Sequence, residues 1–133
     1  ATRSELDALG RELAGEDGLD DDRAAELVER HGTRARDVVE LGRELDLLRP
    51  LGDAAQLEAE VVWAVRHELA LDLDDMLSRR MRLSMSRRDR GADLAPRVAE
   101  LMGAELDWDA DRQGAEVGHY LESARREYDV PAA

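Results

Sequence analysis

The 133-residue sequence contains no cysteine, lysine, asparagine, isoleucine or phenylalanine, and only two tryptophans and two tyrosines. Without cysteine there are no disulfides and no thiolate chemistry, which fits an intracellular setting. Without lysine no side-chain amine can form a Schiff base, so the positive charge rests on arginine and histidine. No apolar run approaches the roughly 18 residues of a membrane span, and the N-terminus lacks a basic region followed by a hydrophobic stretch. A soluble chain is expected. The formal net charge of -13 argues against nonspecific nucleic-acid binding, because the phosphate backbone favours positive surface.

What the chain does have is helical patterning and clustered arginine. Apolar spacing follows a helical period nearly throughout, and no segment alternates long enough to be a strand. The expected fold is all-α: a compact, orthogonal or irregular bundle of about six to seven helices, forming a single helical domain over residues 1-133. Ser4 is placed to cap a first helix ending near Gly15. Asp20 or Asp21 opens a second that stops at Gly32, and Thr33 caps a third carrying Val38, Leu41, Leu45 and Leu48. Pro50 and Gly52 break it. Asp53 then caps a long helix through about Ala70, while Asp72 with Asp75 has capping-box spacing at the head of an arginine-bearing helix. Gly91 falls in a loop, Asp93 caps a helix with Pro96 in its first turn, and Asp109 caps the last helix.

Arg66, Arg79, Arg80, Arg82, Arg87, Arg88 and Arg90 crowd into one stretch of an acidic chain. On a helical wheel, Glu68 falls among Leu57, Val61, Ala64 and Leu71, and Arg80 falls among Leu73, Met76, Leu77 and Leu83. A short connection near Asp72 brings the two faces together, so Glu68 and Arg80 are expected to form a structural ion pair; either charge buried alone would be costly. Arg79 and Arg82 lie on the other side as candidates for an interdomain or anion contact, since clustered arginines suit carboxylates and phosphates. Arg87, Arg88 and Arg90 read as loop charge.

The series Glu60, Val61, Trp63, Ala64, Val65, Arg66, Glu68, Ala70, Leu73, Asp75, Leu77, Arg79, Arg80 and Arg82 resembles the C-terminal helical domain of FAD-dependent glycerol-3-phosphate dehydrogenases. There an E-V-x-Y/W-A-V-R-x-E helix precedes a D-x-L-x-R-R-T-R helix. His31-Gly32-Thr33-Arg34-Ala35, Val98-Ala99-Glu100-Leu101-Met102 and Glu105-Leu106-Asp107-Trp108-Asp109 extend the resemblance over most of residues 24 to 128. Met81 replaces the usual Thr and His31 the usual Tyr. The resemblance implies a cap domain of a larger flavoenzyme that oxidises glycerol 3-phosphate to dihydroxyacetone phosphate and passes electrons through FAD to a quinone. It implies a cytoplasmic enzyme, peripheral at the cytoplasmic face of the membrane. Its partners would be the N-terminal flavin domain of the same polypeptide and, in a homodimer, a second copy.

No G-x-G-x-x-G turn follows a strand here, so the FAD-binding domain is absent from this chain and no catalytic, cofactor-binding or metal residue is assigned. His67-Glu68 fails the zinc-protease pattern at Leu71, and His31, His67 and His119 are scattered. Asp107, Asp109 and Asp111 fail the EF-hand pattern at Arg112 and Gly118. Trp63 and Trp108 read as packing residues. Two alternative functions are a helix-turn-helix-like DNA-binding module and an anionic-lipid docking module. Acidic residues interleaved with Arg34, Arg36 and Arg43 speak against the first.

Overall fold

In the computed structural model, residues 2–15, 19–52, 54, 56–77 and 88–128 are described, without the side chains of 88–91 and 124–128. The described segments are helical, with one isolated bridge between Pro50 and Leu57 and no strand among them. The chain divides into two units, residues 1–60 and 61–133. The all-α expectation is met.

In the first unit, α1 (Arg3–Leu13) is capped by Thr2, whose hydroxyl accepts from the Glu5 amide at 3.1 Å. Ser4, the expected cap, lies inside the helix. The Asp20 carboxylate accepts from the Arg23 amide at 2.7 Å and opens α2 (Asp21–His31). Gly32 ends α2 at φ 61°, a left-handed value at which a side chain would be strained. A single 3-10 turn, Gly32–Arg34, leads into α3 (Ala35–Leu45). Thr33 therefore sits within that turn instead of capping α3, and the capping position, Arg34, makes no side-chain capping bond.

α3 stops at Leu45, three residues before the expected Leu48, because Asp46 adopts φ 57° and the Leu47 amide turns back to the Gly42 carbonyl at 2.7 Å. Glycine is required at Gly42 for a different reason. A Cβ there would lie 2.6 Å from Leu48 Cδ2 and 3.0 Å from Ala59 Cβ. Leu13, Ala24, Leu27, Ala35, Val38 and Val39 are among the most buried apolar residues of this unit.

The next helix, α4 (Glu58–His67), begins five residues after Asp53, the expected cap, which lies outside the described residues. In the second unit its residues Val61, Val62, Trp63, Ala64 and Val65 are all buried, a continuous apolar run that only a helix enclosed on several sides can carry. It ends at His67, short of the expected Ala70. Leu69 turns left-handed at φ 56°, and the amides of Glu68 and Ala70 both reach the Ala64 carbonyl, at 3.0 and 3.2 Å.

Asp72 caps the single turn α5 (Leu73–Asp75) by accepting from the Asp75 amide at 2.7 Å, as the capping-box spacing predicts. α6 (Arg88–Leu106) starts before Gly91 and Asp93, so neither is the loop or cap expected. Pro96 lies in the helix interior. It has no amide to give to the Ala92 carbonyl, and the ladder is interrupted there. Asp107 reverses the chain at φ 60°, and the Asp109 carboxylate accepts from the Arg112 amide at 2.8 Å to start α7 (Ala110–Tyr128). α6 and α7 pack together, with Leu73, Met76, Leu77, Val98, Met102 and Tyr120 among the most buried residues of this unit.

Candidate functional site: the buried carboxylate at the start of helix 4

Glu60 is an ionisable residue with a side chain only 3% exposed. A carboxylate in that position needs several donors. It has them. Its two oxygens accept from Arg30 Nε at 2.8 Å and Arg30 Nη2 at 2.9 Å, a two-pronged guanidinium contact. His31 Nε2 lies 2.8 Å from Oε1 and the Leu57 amide donates to Oε2 at 2.6 Å. With the carboxylate ionised, Nε2 carries the proton.

Local sequence places these groups. Leu57 immediately precedes α4 and Glu60 is its third residue, so the acid turns back onto the Leu57 amide, the acid half of a capping box. Arg30 and His31 are the last two residues of α2, where the Arg30 charge also complements the helix dipole. Burial pushes the Glu60 carboxyl up, but the hydrogen bonds from His31 and Arg30, the Arg30 charge and the Leu57 amide together hold it below the usual carboxylate range. A carboxylate whose acceptor positions are filled in this way is poorly suited to be a general base. The arrangement is a clamp that fixes the end of α2 to the beginning of α4.

Nearby, buried Glu58 pairs with Arg49 Nε at 2.8 Å. In the second unit Arg66 forks onto Glu105, Nε to Oε1 at 2.5 Å and Nη2 to Oε2 at 3.2 Å. One arginine of the basic stretch is thus paired internally. Glu116 accepts from the Leu73 amide at 3.0 Å and Arg112 Nε at 3.1 Å, and Arg112 also lies 5.0 Å from the Trp108 ring centroid. Trp63 is buried and stacks on His67 with centroids 4.0 Å apart, consistent with the packing role expected of it.

Of the site residues expected from the sequence, Glu68 follows the last residue of α4 and is half-buried. Arg79, Arg80 and Arg82 lie outside the described residues. Sequence reasoning did not single out Glu60 as the buried acid, although the L-x-x-E spacing and the adjacent Arg30-His31 before Gly32 were visible signals. Among the described residues no group of three or more histidines or acids is placed to hold a metal ion. A groove of about 500 Å³ between α1 and α2 has Leu6, Gly10, Ala25 and Val28 in its lining, and at its rim Arg3 and Glu29 pair with each other at 3.1 Å.

A family model described as the C-terminal domain of alpha-glycerophosphate oxidase matches residues 3–113. The chain belongs to that family. It is 38% identical over 120 residues to a glycerol-3-phosphate dehydrogenase of Mycobacterium leprae, covering 89% of this chain and 20% of the relative. It is 37% identical over 115 residues to glycerol-3-phosphate dehydrogenase 2 of Mycobacterium bovis, covering 85% and 19%. The mitochondrial glycerol-3-phosphate dehydrogenase of Bos taurus is 32% identical over 115 residues, covering 82% and 15%. The chain spans a fifth or less of the length of these relatives. No solved structure matches it significantly.

Proposed function

We propose that this chain is the C-terminal helical cap of an FAD-dependent glycerol-3-phosphate dehydrogenase, a single domain that takes no part in the chemistry itself. The observation that carries this reading is the match of nearly the whole chain to a C-terminal domain family, within relatives about five times longer. The intact protein would oxidise glycerol 3-phosphate to dihydroxyacetone phosphate, pass the electrons through FAD to a quinone, and sit peripherally at the cytoplasmic face of the membrane. Among the described residues no helix is long and apolar enough to cross a membrane. The N-terminal flavin domain is the partner, with a homodimer as a further level of assembly.

The residues present do not fit a flavin. A dinucleotide cradle needs a glycine-rich turn between a strand and a helix N-terminus, and neither the sequence motif nor a strand is found among the described residues. No reaction step is assigned to this chain. The test compares the intact polypeptide, expected to carry flavin absorbance and to reduce a quinone analogue with glycerol 3-phosphate, with this chain alone. Flavin binding or turnover by the chain alone overturns the assignment.

For the arginine-rich segment, arginines clustered close in sequence to the half-buried Glu68 support pairing of Glu68 with Arg80 and contact of Arg79 and Arg82 with the flavin domain. Because Glu68 lies half-buried beyond the end of α4, Arg80→Ala is expected to destabilise by about 1 kcal/mol. An unchanged melting temperature removes the pair. Arg79→Ala should leave this domain as stable as before while impairing the intact enzyme, and equal losses in both would place Arg79 inside the domain.

A further inference from the structure

Leu69 and Leu71 are 74% and 55% exposed, the largest exposures of any bulky apolar side chain among the described residues. Ala70 between them is fully buried, so the segment alternates with both leucines outward. Leu69 also holds φ 56°, in the left-handed region that glycine or asparagine enters at lower cost. Backbone and solvent both disfavour leucine at this position. Nothing among the described residues compensates, which points to a surface that covers it.

We propose that Leu69 and Leu71 seat in an apolar socket on the larger N-terminal body of the same polypeptide. This rests on the reading that the chain is the C-terminal part of a longer protein, as the relatives, of which it spans 20% and 15%, suggest. The size of the patch selects the occupant. Two leucines offer on the order of 200 Å², well short of the roughly 800 Å² per partner that a stable bimolecular interface buries. A partner tethered in the same chain acts at millimolar effective concentration, and a contact this small then suffices. Charge selects against a membrane: Glu68 and Asp72 bracket the two leucines, and an anionic lipid surface repels them.

The test uses the intact polypeptide in a background without other cysteines, carrying Leu69→Cys, Leu71→Cys or, as an exposed control on α7, Ala115→Cys. Maleimide labelling at positions 69 and 71 is expected to be about tenfold or more slower than at 115, since thiol reactivity follows exposure. That slowing should be independent of protein concentration and of added vesicles. Equal rates at the three positions overturn the proposal. Slowing only at raised protein concentration assigns the loop to a second copy, and slowing only with phosphatidylserine vesicles assigns it to a bilayer; either result also overturns it. Glycerol 3-phosphate oxidation is measured on the parent polypeptide separately, so a missing activity counts against the functional reading and a fast label counts against the socket.

Discussion

At the start of α4 the Glu60 carboxylate is buried and collects donors from Leu57, Arg30 and His31, whereas just past the end of the same helix Leu69 turns left-handed and stands in solvent. The first end combines a residue type that resists burial with enough partners to make burial tolerable. The second combines a residue type that resists exposure with no such compensation. A structure that satisfies one demanding position so fully leaves another unsatisfied a few residues later. The second has no partner of that kind among the described residues.

The sharpest way to break this contrast is Glu60→Ala. It strips the acceptor from Arg30, His31 and the Leu57 amide, and a loss of about 3 kcal/mol is expected, moderated because Arg30 is 28% exposed and can rehydrate. Chemical denaturation reads it directly; a loss below about 1 kcal/mol, the scale of one surface ion pair, would reduce the clamp to a surface contact. Gly42→Ala comes next, at about 2 kcal/mol, because the added methyl meets Leu48 and Ala59 in a packed contact. A wild-type melting temperature would show that Leu48 yields easily.

Acid sharpens the comparison further. The Glu60 carboxyl is held below its ordinary value of 4.5, so its contribution is present above that pH and is lost as pH falls through the lower folded-state value. The wild-type chain should therefore lose more stability below pH 4.5 than the Glu60→Ala variant does, and parallel acid profiles would contradict the clamp. The smallest effect has the opposite sign. Leu69→Gly should stabilise the chain by about 1 kcal/mol or less, since relief of the left-handed conformation is partly offset by glycine entropy. A clear destabilisation would mean that Leu69 makes contacts its exposure hides.

Much of this was legible in the sequence where one residue type does one local job. Asp20, Asp72 and Asp109 announce helix starts because a short carboxylate can reach a free amide, and Gly32 announces an end because it alone takes the required φ cheaply. The signature from Glu60 to Arg82 carried the family. Misreadings arose where a local rule met tertiary context. Gly91 looks like a loop residue and Pro96 like a first-turn proline, yet α6 runs from Arg88 through both. Ser4 looks like a cap, yet Thr2 reaches the amide first. Glu60 escaped notice because its worth comes from Arg30 and His31, thirty and twenty-nine residues away, and no periodicity along one helix reveals a partner on another. Glu68 attracted attention on the wheel, but the wheel assumes a helix that ends only at Ala70, and the turn at Leu69 leaves Glu68 half-buried beyond the last helical residue.

Pro96 carries a consequence for how the second unit opens. With no amide at that position, α6 lacks one of the hydrogen bonds joining its first two turns to the stretch containing Val98, Leu101 and Met102, all of which are buried. Fraying that begins near Arg88 therefore need not travel down the helix. In a hydrogen-exchange experiment α6 should behave as two blocks, the segment before Pro96 exchanging through local opening and the segment after it only when the packed pair of α6 and α7 comes apart.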